Sequence, residues 1–221
     1  MNNIILFLNE LKINNNRTWF ADNKSWYDKV RLEFEQFAAK LIVEISKFDE
    51  DIKNVDVKDC VFRIYRDTRF ANDKTPYKTH FGVYIASAGG RKSKRAGYYL
   101  HLDPDGSFLG SGVWCPEPNV LKALRQSVYD NIEEFNSIRF NPSFEQYFTS
   151  FLDNDKLKTV PRGFPKDFEF AELLKLKHYL VDYKLSPEML NSDDLLNQIT
   201  HVFSLAHPFN SFLNYTVDEV E

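Results

Sequence analysis

From residue 26 onward the apolar positions fall three and four apart: Trp26, Val30, Phe34, Phe37, Leu41, Ile45 and Phe48, with Lys29, Arg31, Glu33, Glu35 and Lys40 between them. That is the period of a helix with one apolar face, so the pattern predicts a long amphipathic helix, preceded by a shorter one over 4–11. Ser25, with Asp28 three positions on, resembles a capping box and sets the expected start of the long helix. At residue 60 the period drops to two, and Asp, Asn, Pro and Gly begin to separate short runs. Strands are expected over 60–66, 79–87, 97–103 and 107–114, joined by a longer loop over 67–78, a Gly89-Gly90 turn and a Pro104-Asp105-Gly106 turn. Connections this short favour antiparallel pairing.

After Trp114 the helical period returns. Pro118 suits a first turn, with Val120, Leu121, Leu124 and Val128 on one face. A second helical piece is expected to carry Phe144, Tyr147, Phe148 and Phe151. Residues 178–185 alternate like one more strand, Ser186-Pro187 opens a short helix, 195–206 forms another, and a separate last helix with Phe209, Phe212 and Leu213 follows Pro208. Helices, then strands, then helices, without regular βαβ alternation, predict an α+β fold. An antiparallel sheet would be packed on one face by helices, with a long amino-terminal helix and a helical carboxyl-terminal part. No composition shift marks a linker, so residues 1–221 are read as a single domain.

Composition narrows the class without naming a function. The chain has 221 residues, 43% hydrophobic and 27% charged, with only 8 Gly and 9 Pro, which excludes a disordered or collagen-like protein. Two cysteines, Cys60 and Cys115, are too few for a disulfide framework and lack metal-ligand spacing. The amino terminus does not read as a signal peptide and no apolar run reaches membrane-spanning length, so a soluble cytoplasmic protein with no membrane partner is expected. The oligomeric state stays open.

Charge changes the picture more. The net −4 is the sum of +7 over residues 61–101 and −11 over the other 180. Side chains alternate across a strand, so the apolar face should collect Phe62, Ile64, Phe81, Val83, Ile85, Tyr98, Leu100 and Leu102. The opposite face should collect Arg63, Tyr65, His80, Tyr84, Tyr99, His101 and Asp103. Arginine forks, lysine ammonium groups and tyrosine hydroxyls together suit a carboxylate or phosphate. The expected site is a basic, Tyr-rich pocket for an anionic small molecule, formed by this face and the 67–78 loop. Arg63, Arg66, Arg69, Lys74 and Lys78 would supply charge, with Asp67 beside them and Tyr65, Tyr77 and Tyr99 as donors or walls. If chemistry occurs there, His80 or His101 would carry the proton; whether the protein is an enzyme stays open.

Other readings stand beside this one. His80, His101 and Asp103 could approach one another, but no HxH, HExxH or Cys/His cluster is present, so hydrogen-bonded histidines are expected and no metal or cofactor. The glycines from Gly106 to Gly112 lack the lysine of a phosphate loop and read as a turn and a tightly packed strand. Residues 91–95, Arg-Lys-Ser-Lys-Arg, form a basic tip that would serve a nucleic-acid-binding module, but the acidic remainder argues against that partner. A protein-interaction module without catalysis is the other alternative.

The segment from Phe62 to Gly82, FRIYRDTRFANDKTPYKTHFG, resembles the signature of a mostly bacterial family of conserved hypothetical proteins classed as a domain of unknown function. The likeness continues through FLNELKINNNRTWFADNKSWY, GYYLHLDPDGSFLGSGVW, PEPNVLKALR, LKTVPRGF, LLKLKHY and HPFNSFLN. It implies a single-domain protein of about this length and carries no established activity, ligand or catalytic residue.

Overall fold

The computed structural model describes residues 1–220. Three helices open the chain: α1 (Asn2–Ile13), α2 (Arg17–Asp22) and α3 (Lys24–Ile45). The predicted stripe of α3 is real, with Val30, Phe34, Leu41 and Ile45 buried. Its start differs from expectation. α2 is capped by the Asn16 side chain, which accepts from the Trp19 N–H, and α3 follows directly after Asn23. Ser25 therefore lies inside the helix, and Asp28 pairs with Lys24 instead of closing a capping box.

A short helix, α4 (Val57–Cys60), precedes an extended but irregular segment where a strand over 60–66 was expected. Val61 bridges Val83 and Tyr65 bridges Tyr77, without a continuous ladder. Val61 and Ile64 are both buried although they are three apart, so the strict alternation fails there. Phe62, expected in the core, consequently lies on the opposite side, edge-on to Tyr99.

The sheet is an antiparallel meander in the order β1 (Phe81–Ile85), β2 (Gly97–Leu102), β3 (Phe108–Val113) and β4 (Tyr179–Lys184). Its register places Val83 beside Leu100 and Leu100 beside Leu109, forming one apolar face. α3 and α10 (Leu195–Val220) pack on the sheet's helical side. α10 also fastens the start of β2: Asn210 donates to the Gly97 carbonyl (3.2 Å), while Asn214 accepts from the Ala96 N–H (2.7 Å) and donates to the Ala96 carbonyl (3.2 Å).

Pro208 was expected to separate two helices, yet α10 runs through it. An internal proline costs about 3 kcal/mol. Here it is exposed, while Phe203, Ala206, Phe209, Phe212 and Leu213 on both sides are buried, and that burial outweighs the lost hydrogen bond. Between β3 and β4 lie α5 (Pro118–Asp130), α6 (Ile132–Arg139), α7 (Pro142–Glu145) and α8 (Ala171–Leu174); α9 (Pro187–Leu190) follows β4. α5 begins at the expected proline. The aromatic run 144–151 is mostly not helical: Phe144 and Phe148 enter the core, and Phe151 bridges Val181 at the edge of β4.

Candidate functional site

The second face of the sheet is floored by glycines and aromatics. Across the strands it presents Gly82, Tyr84, Tyr99, His101, Phe108, Gly110, Gly112, Leu180 and Asp182, as the register requires. Phe62 rises along one edge and Leu152 along the other, where the Leu152 N–H donates to the Leu180 carbonyl at 2.9 Å. Trp114, Cys115 and Glu117, with the Arg91–Arg95 stretch, close one end. These walls turn the face into a trough with a cavity volume of about 750 Å³.

Glycine chemistry shapes the floor. A Cβ on Gly82 would lie 2.9 Å from the Tyr99 hydroxyl, so the missing side chain is what lets Tyr99 lie across β1. Gly112, with φ +122°, would place a Cβ 2.0 Å from the Tyr179 carbonyl oxygen, so it alone permits the β3–β4 approach there. At Gly110, in the middle of the floor, a Cβ would make ordinary contact with Tyr99 at 3.6 Å.

The Arg91–Arg95 stretch that closes one end of the trough is anchored to the fold. Residues 90–92 form a 3₁₀ turn, and Arg91 donates to the carbonyls of Lys58 (2.6 Å) and Val61 (3.3 Å). Carbonyls hold the guanidinium without cancelling its charge. Arg95 is ion-paired to Asp51 (2.6 Å) and Asp218 (3.3 Å), and Lys94 to Glu117 (3.3 Å).

The other end brings together His80 and His101. His101 Nδ1 and the Tyr99 hydroxyl lie 2.8 Å apart, and the His80 ring stands 4.3 Å from the His101 ring. Asp103 Oδ2 is 3.7 Å from His101 Nε2, while its Oδ1 accepts from the Asp105 N–H at 2.8 Å. Lys78 holds its ammonium over the Phe62 ring, 5.2 Å from the centroid. Burial pushes His80 down to about 4, assisted by His101 and Lys78, and burial also lowers His101. Burial, with the nearby Arg63 charge, lowers Lys78, and burial pushes Tyr99 up to about 12.

The residues expected to form the pocket are divided by the structure. Tyr99 and His101 line the cavity, and Lys78 and His80 adjoin its histidine end. Arg63 is exposed, near enough to Lys78 and Asp67 to act on their charge. Arg66 is taken up by Asp73 and Thr75, Arg69 by Asp67 at 2.6 Å, and Lys74 by the Thr68 carbonyl at 2.9 Å. The Thr75 N–H, then Arg66 and the Thr75 hydroxyl, pull Asp73 down to about 2. Tyr65 and Tyr77 turn away to the amino-terminal helices, where Tyr77 stacks on Phe20 with centroids 3.9 Å apart.

Trp114, Leu152, Leu180 and Asp182 were not among the expected site residues. A signal for two of them exists: in the alternation of 178–185, Leu180 and Asp182 share a parity, and that parity joins the cavity face once β4 is paired to β3.

The chain is of the α+β class, with helices packed on one face of a four-stranded antiparallel sheet and an aromatic trough over the other. Its family follows from the sequence: the model of the conserved hypothetical protein family DUF2461 matches residues 3–212, and the chain belongs to that family. No curated protein and no solved structure matches it.

Proposed function

We propose that the protein binds a small anionic molecule, phosphate- or carboxylate-bearing, with a largely apolar body, in the trough over the open sheet face. The observation that carries this reading is the cavity itself. Its volume of about 750 Å³ falls in the range of small-molecule pockets, and Phe62, Tyr99, Phe108, Trp114, Leu152 and Leu180 give it apolar walls. Arg91 supports the anionic group, because its charge is ion-paired to no carboxylate among the described residues. Arg95 and Lys94, by contrast, already face Asp51, Asp218 and Glu117, which disfavours a phosphate backbone tracking along the tip. The reading is one of binding and assigns no reaction. Free thiols at Cys60 and Cys115 accord with a reducing, cytoplasmic setting.

The test is a thermal-shift screen of carboxylates and phosphates bearing aromatic or aliphatic bodies, run on wild type and on Gly110→Leu. The leucine side chain grows from mid-floor into the cavity without backbone strain. Stabilisation of the wild type that disappears in Gly110→Leu is expected. No response from the wild type to any compound, or equal responses from both proteins, would overturn the reading.

A further inference from the structure

The histidine end of the trough brings together three donors of a kind that transition metals favour. One ligand atom from each of His80, His101 and Asp103 lies within 4.8 Å of the other two. His101 and Asp103 come from the end of β2 and the turn that follows it; His80 comes from the residue preceding β1, held alongside by the β1–β2 ladder. Three residues at one end of the β1–β2 pair therefore meet because of the register.

The spacing is informative. His101 Nε2 and Asp103 Oδ2 are 3.7 Å apart, too far for a hydrogen bond. Two ligands at about 2.1 Å from one tetrahedral zinc ion stand roughly 3.4 Å from each other. The pair is thus set as two ligands of one ion would be, with His80 on the adjacent side.

The surrounding contacts are those that orient metal ligands. With Nε2 of His101 on an ion, Nδ1 carries the ring proton and donates it to the Tyr99 oxygen, 2.8 Å away. Asp103 has Oδ1 fixed by the Asp105 N–H, and its own N–H donates to Ser107 Oγ at 3.1 Å, which leaves Oδ2 as the ligating oxygen. His101 and Asp103 side chains are 15% and 17% exposed, so the ion would be sheltered yet reachable from the cavity that His101 lines.

We infer that His80, His101 and Asp103 form a binding site for one divalent transition-metal ion of the zinc class, with its remaining coordination positions open to the trough. Two imidazoles and one carboxylate suit that class better than calcium or magnesium, which take all-oxygen shells. Lys78 is the opposing feature: its ammonium lies close enough to act on the charge of both histidines. The inference goes beyond the small-molecule reading and is tested without it, because the probe is the metal alone.

Titration calorimetry of chelator-stripped protein with Zn²⁺ should show one ion per chain. Affinity should fall by at least ~10-fold in His80→Gln, His101→Gln and Asp103→Asn, and stay unchanged in the loop variant Asp67→Asn. Lys78→Met should bind zinc more tightly than wild type, because it removes a neighbouring positive charge. Proton–nitrogen NMR of the wild-type imidazoles supplies a measurement that needs no variant: zinc should shift a ring nitrogen of both His80 and His101. Absence of one-to-one binding, equal affinity in the ligand variants, or unmoved signals from both rings would overturn the site.

Discussion

The 67–78 loop and the open face of the sheet are both supplied with cationic and aromatic side chains, and they use them in opposite ways. In and just before the loop, Arg66 and Arg69 are answered by Asp73 and Asp67, and Lys74 by a backbone carbonyl, all from within the same short stretch. The loop's Phe70 stands 95% exposed with no wall around it. On the sheet face, Phe62, Tyr99, His101, Trp114, Leu152 and Asp182 come from distant segments and enclose a volume. Charge density along a sequence therefore marks local pairing as readily as it marks a site. A site additionally needs groups that the fold, and not the neighbouring residues, brings together.

That contrast can be broken first at the trough floor. Gly112→Ala should be the most damaging single change, because its Cβ would meet the Tyr179 carbonyl at 2.0 Å where φ is +122°. A loss of about 4 kcal/mol, or a melting temperature lower by roughly 10 °C, is expected by calorimetry. A fall of only a degree or two would show that β3 and β4 can separate there at little cost. Two residues earlier on the same strand, Gly110→Leu should leave the melting temperature within a few degrees while abolishing any ligand response.

The histidine end gives a smaller, pH-dependent effect. His80 titrates at about 4 in the folded chain and near 6.5 when unfolded. Between those values the unfolded state binds more protons, so stability present above pH 6.5 is lost as the pH falls toward 4. Discounted for the partial exposure of the ring, the total change across that window amounts to about 1 kcal/mol or less. Urea unfolding in EDTA at stepped pH should show it in wild type and flatten it in His80→Gln; identical slopes would show that His80 is not held neutral by its surroundings.

The loop sets the bottom of the scale. Arg66→Ala should cost about 1 kcal/mol, since its guanidinium is partly sheltered against Asp73 and Thr75. Arg69→Ala, on a pair that is mostly solvated, should leave the urea midpoint unchanged. Neither should alter a ligand-induced thermal shift, and a loss of that shift in Arg69→Ala would bring the loop back into the site.

Much of this architecture was legible without coordinates. The 3.6-residue stripe from Val30 to Ile45 defined α3, and the alternations around residues 83, 99, 109 and 181 defined the four strands. Parity placed Tyr84, Tyr99 and His101 on a common face. Where local rules failed, a non-local force had intervened. Pro208 did not end α10 because its neighbours are buried on both sides, and the Val61 to Ile64 stretch lost its alternation because its pairing to β1 is broken.

The sequence by itself determined α1, α3, α5, the four strands with their apolar faces, and the family, since periodicity and motif text are properties of neighbouring residues. Only the tertiary structure decided that His80, His101 and Asp103 meet, and that Trp114, Leu152 and Asp182 wall a cavity with Tyr99. Register and chain return set those meetings, and they join residues far apart in sequence whose pairing no local period encodes.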